Sequence, residues 1–301
     1  MSTLLHIRYL LEYVLLRAII ILVRLFPLDT GRELSANAWR VLAPRGRRHR
    51  RAMENLAVAF PEKSEAERHA IAVAMWENLG RVMAETMQLD RILKEPERIE
   101  IENPELLARY VGKMGSAITC SLHMGNWELA MWPLTRIGAK PAGVYRLVDN
   151  PYVDLYLRSQ RKELYPGGLF ARGNATTSAM KGGHDTARMI GSYVRQGGRL
   201  GFLADLYDRR GEAVPFFGKP ARSTVVPVML ARRLGTRLWV GRCIRVGKES
   251  RFKVRMREVK VPWTDDPNAD AKAALTEMQA QFEAWVRETP EQWMWSNRRW
   301  C

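Results

Sequence analysis

The sequence predicts an α/β fold, a mixed and largely parallel sheet flanked by helices, and three observations carry that prediction. Short β-like runs, "GSAITCSL", "PAGVYRLV", "RLGFLAD" and "AVPFFG", are separated by helical stretches around "NPYVDLYLRSQRKEL" and "HDTARMIGSYVRQ". Strands that alternate with helices favour parallel pairing through crossovers. Two more β-rich runs, "TRLWVGRCIRV" and "SRFKVRMREVKV", flank Gly247 and read as an antiparallel hairpin at the sheet edge. Across 301 residues there is no internal repeat, long linker or low-complexity tract, so one compact domain over residues 31–301 follows an N-terminal element over residues 1–30.

Taken in order, the first element is the apolar run from Leu4 to Phe26, which also contains Arg8, Glu12, Arg17 and Arg24. Its fifteen Leu, Ile, Val and Phe residues favour insertion by about 0.3 to 0.6 kcal/mol each, while each central charge costs about 2.5 to 3.5 kcal/mol. The two contributions nearly cancel. At about 100° per residue Arg17 falls about 140° from Glu12, so the charges do not share a face and no clean amphipathic stripe results. The expectation is a membrane-associated helix, shallow or marginal, that is kept because no small-x-small cleavage site follows it. Then "PRGRRHRR" gathers Arg45, Arg47, Arg48, Arg50 and Arg51, each of which gains about 1 kcal/mol beside an anionic leaflet. Positive flanks favour a cytoplasmic side; a solvated basic loop is the plain alternative.

Residues 50–95 read as helices: "RAMENLAVAF" stops at Pro61, and Ser64 caps a second run with helical apolar period. The last helix is expected from about Asp270 to Glu288. Nearly half of the chain is hydrophobic and about a quarter charged, an ordinary globular balance, but the net charge is +16. Such an excess calls for an anionic neighbour: an anionic lipid, an acidic carrier protein or nucleic acid. No recognised nucleic-acid module or aromatic–basic interleaving accompanies it, so no nucleic-acid partner is expected.

Cys120, Cys243 and Cys301 are odd in number and far apart, which suggests no disulfide framework. Cys120 and His123 could give two metal ligands, but no second pair lies near and no HExxH occurs. No metal or cofactor is expected. "FFGKPARST" lacks the spacing of a phosphate-binding loop, and Pro220 follows its lysine. His184 and Asp185 are adjacent, but nothing nearby completes a catalytic set.

"SLHMGNWELA" is the stretch with chemical content. Five residues along a helix leave two side chains about 140° apart, so His123 and Glu128 meet only across a turn. An apolar strand ending near Leu122, Gly125 to relax the backbone and Asn126 to cap a helix would supply that turn. His123 then lies at the C-terminal end of a strand, where open α/β sheets bind ligands. A carboxylate on one ring nitrogen leaves the other to take a proton from a substrate hydroxyl. No GxSxG elbow occurs, and Cys120 would point to the opposite strand face. On this pattern alone a structural histidine stays open beside the catalytic one.

Several segments together resemble the late lipid A acyltransferases of the lysophospholipid acyltransferase class. "HMGNWE" is similar to their HX4(D/E) motif and "GVYRLVDNPYVD" to their GVYRP.DNP..D stretch. "RAMENLAVAFPE", "FLADLYDRRGEAVPFFGKPARST" and "TPEQWMWSNRRW" follow in the same order, so the likeness spans nearly the whole chain. The resemblance implies a glycerolphosphate-acyltransferase-like fold over residues 31–301. It implies transfer of a fatty acyl chain from an acyl carrier protein thioester to a hydroxyl of a phosphorylated glycolipid, the lipid A precursor, at the cytoplasmic face of the inner membrane. His123 would be the general base and Glu128 its partner, with no acyl-enzyme. Arg146, Arg161 and Asp205 match further functional positions, for substrate binding or orientation of charged groups. A lysophospholipid or another glycolipid as acceptor is the near alternative, and a non-catalytic basic membrane-binding protein the distant one. Trp293, Trp295 and Trp300 read as core packing.

Overall fold

A computed structural model describes residues 3–107, 115–172, 183–247 and 249–300. Its centre is a seven-stranded sheet of β1 (Ile99–Ile101), β2 (Ala117–Ser121), β3 (Ala142–Arg146), β4 (Leu169–Arg172), β5 (Arg199–Leu203), β8 (Arg237–Arg245) and β9 (Phe252–Val259), in the order β1-β9-β8-β2-β5-β3-β4. All pairings are parallel except β8 with β9. The expected α/β sheet is therefore present, and the hairpin around Gly247 is antiparallel as its sequence suggested. Its place differs from the expectation: β8 lies beside central β2, and the edge belongs to the three-residue β1 outside β9. The "AVPFFG" run also falls elsewhere, in β6 (Tyr207–Phe216), which pairs only with β7 (Lys219–Ser223) as a separate antiparallel ribbon. The turn at Phe217 and Gly218, both with positive φ, returns the chain on itself before it can enter the main sheet.

Helices cover both faces. Ile118 and Cys120 of β2 face α9 (Val226–Leu234) and α10 (Pro267–Glu288), in one apolar cluster with Val228, Met278, Phe282 and Trp285. Ala117 belongs to the other face, with Trp239, Leu129, Met131 and Leu134. This alternation along β2 is the period-2 consequence of a strand buried on both sides. The helix before the sheet, α4 (Glu65–Thr86), starts where the sequence placed it. Ser64 Oγ accepts from the Glu67 amide at 3.2 Å and Glu67 returns a bond to the Ser64 amide at 2.8 Å, a capping box.

The N-terminal run is a helix, α1 (Thr3–Arg24), but among the described residues no helix is long and apolar enough to cross a membrane. Its polar groups are taken up by the protein body. Glu12 accepts from Asn150 at 3.0 Å, Arg24 grips Asp90 at 2.7 and 2.8 Å, and the Arg17 guanidinium lies 5.0 Å from the Tyr156 ring centroid. Left outward are Leu4, Leu11, Val14, Leu15 and Leu22, which by helical geometry span an arc of roughly 100°. The apolar stripe that charge spacing alone argued against is thus present, because the charges sit at its margins. Following α2 (Leu28–Leu42), the basic tract runs from Arg45, in the 3-10 turn Ala43–Arg45, into the first turns of α3 (Arg47–Ala59), and its five arginines are exposed.

Candidate active site

The site lies at the C-terminal ends of β2 and β5. These strands pair in parallel with Ser121 opposite Leu203, so the residues two positions further on, His123 and Asp205, arrive side by side from 82 residues apart in the chain. His123 Nδ1 is 2.8 Å from Asp205 Oδ1, and the His123 amide donates to Oδ2 at 2.8 Å. Trp293 Nε1 donates to the same Oδ2 at 2.8 Å. A carboxylate only accepts, so Nδ1 carries the hydrogen and Nε2 is the ring nitrogen left open. Asp205 is 1% exposed; the His123 ring is 15% exposed and lines a cavity of about 730 Å³, within the usual size of a small-molecule site.

This arrangement corrects the expected pairing. Glu128 is held not by the imidazole but by Arg161, whose Nε and Nη2 donate to its two oxygens at 2.7 and 2.5 Å. Such a fork-to-fork pair fixes both partners. Of the two roles expected for Arg161 and Asp205, substrate binding or orientation of charged groups, their contacts match the second: Arg161 spends these donors on Glu128, and buried Asp205 holds Nδ1 of His123. The reason lies in the turn. Asn126 precedes a 3-10 helix, Trp127–Met131, rather than an α-helix, and this carries Glu128 across to Arg161 at the end of α7 (Pro151–Gln160). Asn126 makes no side-chain cap there; its Nδ2 donates to Glu85 at 2.9 Å.

The turn rests on a buried polar cluster. Arg245 donates to both Glu85 oxygens at 2.5 and 2.8 Å, Ser250 Oγ donates to Glu85 at 2.8 Å, and Asn78 donates to the Gly125 carbonyl at 3.1 Å. Gly125 has φ +56°, and a Cβ there would lie 1.9 Å from the Cys243 carbonyl. Only glycine fits that backbone and that gap. The C-terminal segment crosses above: Met124 bridges Trp293, and the Met294 amide donates to the His123 carbonyl at 3.0 Å. Trp293 is therefore core packing with a polar task, and Trp127, 5.3 Å from His123 by ring centroids, is a second aromatic neighbour that the sequence did not single out.

Electrostatics follow from burial and pairing. Desolvation lowers the His123 pKa, but the charge and hydrogen bond of Asp205, with a smaller pull from Glu128, outweigh it and leave the imidazole above its ordinary 6.5. Burial works against the Asp205 carboxylate, and His123 reverses this, so its pKa lies below the ordinary carboxylate value. Burial also lowers the Arg299 pKa to about 10, with Asp205 as the opposing charge. Tyr145 on the cavity wall is raised to about 12, by burial first and then by Asp154, to which its hydroxyl donates at 3.1 Å. The Cys120 thiol is pushed up by burial, which disfavours the nucleophilic thiolate.

Arg146 lies exposed at the cavity rim, where the end of β3 places it. Ser121 and Thr224 line the cavity, and their hydroxyls are buried with no hydrogen-bond partner among the described residues. Buried donors in that state are uncommon and call for an occupant or a role. The side chains of His184 and Asp185, and all of Cys301, lie outside the described residues.

The profile of the bacterial lipid A biosynthesis acyltransferases matches residues 1–301. The chain belongs to this family. A lipid A biosynthesis myristoyltransferase of Escherichia coli (strain K12) is 27% identical over 257 residues, covering 82% of this chain and 73% of that protein. A lipid A biosynthesis acyltransferase 1 of Shigella flexneri shares the same 27% over 257 residues, with the same coverage. Family membership agrees with the resemblance read from "HMGNWE" and its companions.

Proposed function

We propose that this family member transfers a fatty acyl chain from an acyl carrier protein thioester to a hydroxyl of a lipid A precursor, at the cytoplasmic face of the inner membrane. The observation that carries the reading is His123, gripped at Nδ1 by Asp205, with its ring on the wall of a 730 Å³ cavity. Nε2 takes the proton of the acceptor hydroxyl as its oxygen attacks the thioester carbonyl. The tetrahedral intermediate then collapses, the carbon–sulfur bond breaks, and the carrier thiolate leaves with the proton returned by the imidazolium. The acyl group passes directly to the acceptor, with no acyl-enzyme. Ser121 and Thr224 hydroxyls supply donors for the oxyanion, and Glu128 with Arg161 holds the wall beside it. Arg146 at the rim suits an acceptor phosphate, since a guanidinium matches phosphate oxygens.

The test is transfer kinetics with acyl carrier thioester and lipid A precursor, with circular dichroism to confirm folding. His123→Ala is expected to lose about 10²- to 10⁴-fold in turnover, and Thr224→Val, which keeps shape and removes a donor, about 10²-fold. Unchanged turnover in folded His123→Ala refutes the mechanism.

A further inference from the structure

The cavity continues below His123 along one face of the sheet. Thr119 of β2 and Gly143 of β3 both stand opposite Gly201 of β5, so two glycines lie side by side at one level of the sheet. Their missing side chains are replaced from above. A Cβ on Gly201 would lie 3.2 Å from Met131 Cγ and Sδ and 3.3 Å from Cε. One on Gly143 would lie 2.8 and 2.9 Å from the Tyr165 ring and 3.0 Å from Leu169 Cδ2. Met131, Tyr165 and Leu169 all line the cavity, and apart from the Tyr165 hydroxyl these groups are apolar.

The floor and the reactive end belong to the same segments. Met131 closes the 3-10 helix in which Glu128 sits, and Tyr165 follows one turn after Arg161, to whose carbonyl its amide donates at 3.0 Å. The Glu128–Arg161 clamp therefore fixes the height of the floor relative to His123. Along β2, Thr119 precedes His123 by four residues, a drop of about 13 Å at the rise of a parallel strand.

On the acyl-transfer reading above, we infer that Met131 over Gly201 and Tyr165 over Gly143 form the end stop for the acyl chain. The depth admits a medium chain, on the order of ten to fourteen carbons. An alkyl chain two methylenes too long leaves them outside apolar surroundings, which shifts preference by roughly tenfold.

The experiment offers the purified full-length protein an equimolar mixture of even-numbered acyl carrier thioesters from eight to eighteen carbons, with lipid A precursor as acceptor, and reads products by mass spectrometry. Met131→Ala deepens the pocket, so products are expected to lengthen by at least two carbons, with a roughly tenfold change in the long-to-short ratio. Gly201→Ala pushes the flexible end of Met131 into the cavity, and its products are expected to shorten. Opposite shifts are not what general destabilisation produces, and melting curves confirm that each variant folds. A wild-type optimum of sixteen carbons or more, or the wild-type profile in both folded variants, overturns the end stop. If the wild type transfers nothing, melting with free fatty acids of graded length decides. Protection that peaks at a medium chain and moves in Met131→Ala keeps the end stop while the reaction reading falls; protection blind to length overturns the end stop itself.

Discussion

At the residue scale, His123 is held above its ordinary 6.5 even though burial opposes its charge. A general base acts in its neutral form, so the proton on Nε2 must leave before turnover begins. The acid limb of kcat/KM is therefore expected above pH 6.5, with the rate rising as pH climbs through it. Asp205→Asn removes the carboxylate that raises the imidazole and leaves the desolvation, so the limb should move to lower pH while the plateau falls. Glu128→Gln should move it less, because Glu128 makes the smaller contribution. A pH–rate profile of the three proteins checks this; equal limbs in wild type and Asp205→Asn would detach Asp205 from the base. The importance of Asp205 could not be read from local spacing. The signal available was indirect: "SLH" and "LAD" each end an apolar strand in a polar residue, but their adjacency depends on the β2–β5 register. H-x4-E, by contrast, suggested a partnership that a 3-10 turn redirects to Arg161.

At the element scale, what could be read in the sequence was what is decided locally. The Ser64 cap, the Pro61 stop and the Gly247 turn each act within a few residues of themselves, and all three elements stand where those signals put them. β1 has three residues and no pattern to detect. β6 carries apolar residues like a core strand, and only its turn at Phe217 and Gly218 assigns it to a ribbon. α1 is the instructive case, since its hydropathy falls short of a span while its surface is apolar. Leu11, Val14, Leu15 and Leu22 are 65%, 61%, 63% and 58% exposed, and full burial of each would contribute about 1.5 to 3 kcal/mol. Binding of such a helix in the interfacial plane scales with that area. Leu11→Glu with Leu15→Glu is expected to weaken co-sedimentation with anionic vesicles at least tenfold, with the circular dichroism spectrum preserved. Undiminished pelleting would transfer membrane binding to another surface.

At the scale of the whole molecule, the net charge of +16 has to be located before it explains anything. The buried ion pairs are neutral as units: Arg245 with Glu85, Arg232 with Asp270 and Arg161 with Glu128. Apart from buried Arg299, the surplus is accordingly carried largely by the surface, where Arg45 precedes α3, Arg47, Arg48, Arg50 and Arg51 open it, and Arg146 and Arg209 border the cavity. A field of this sign accelerates encounter with an acidic carrier, and salt screens it over about 10 Å at 0.1 M. It does little for a neutral donor. With acyl carrier protein thioester, kcat/KM is expected to fall about tenfold between 50 mM and 500 mM salt, mostly through association. With the same acyl chain on a pantetheine thiol, which keeps the reacting bond and removes the carrier, the response should be nearly flat. The comparison separates docking from chemistry because, on the proposed mechanism, both donors would react at His123 in the same cavity. If both donors slow equally, salt acts on the acceptor or on the site itself, and the basic surface has no special relation to the carrier.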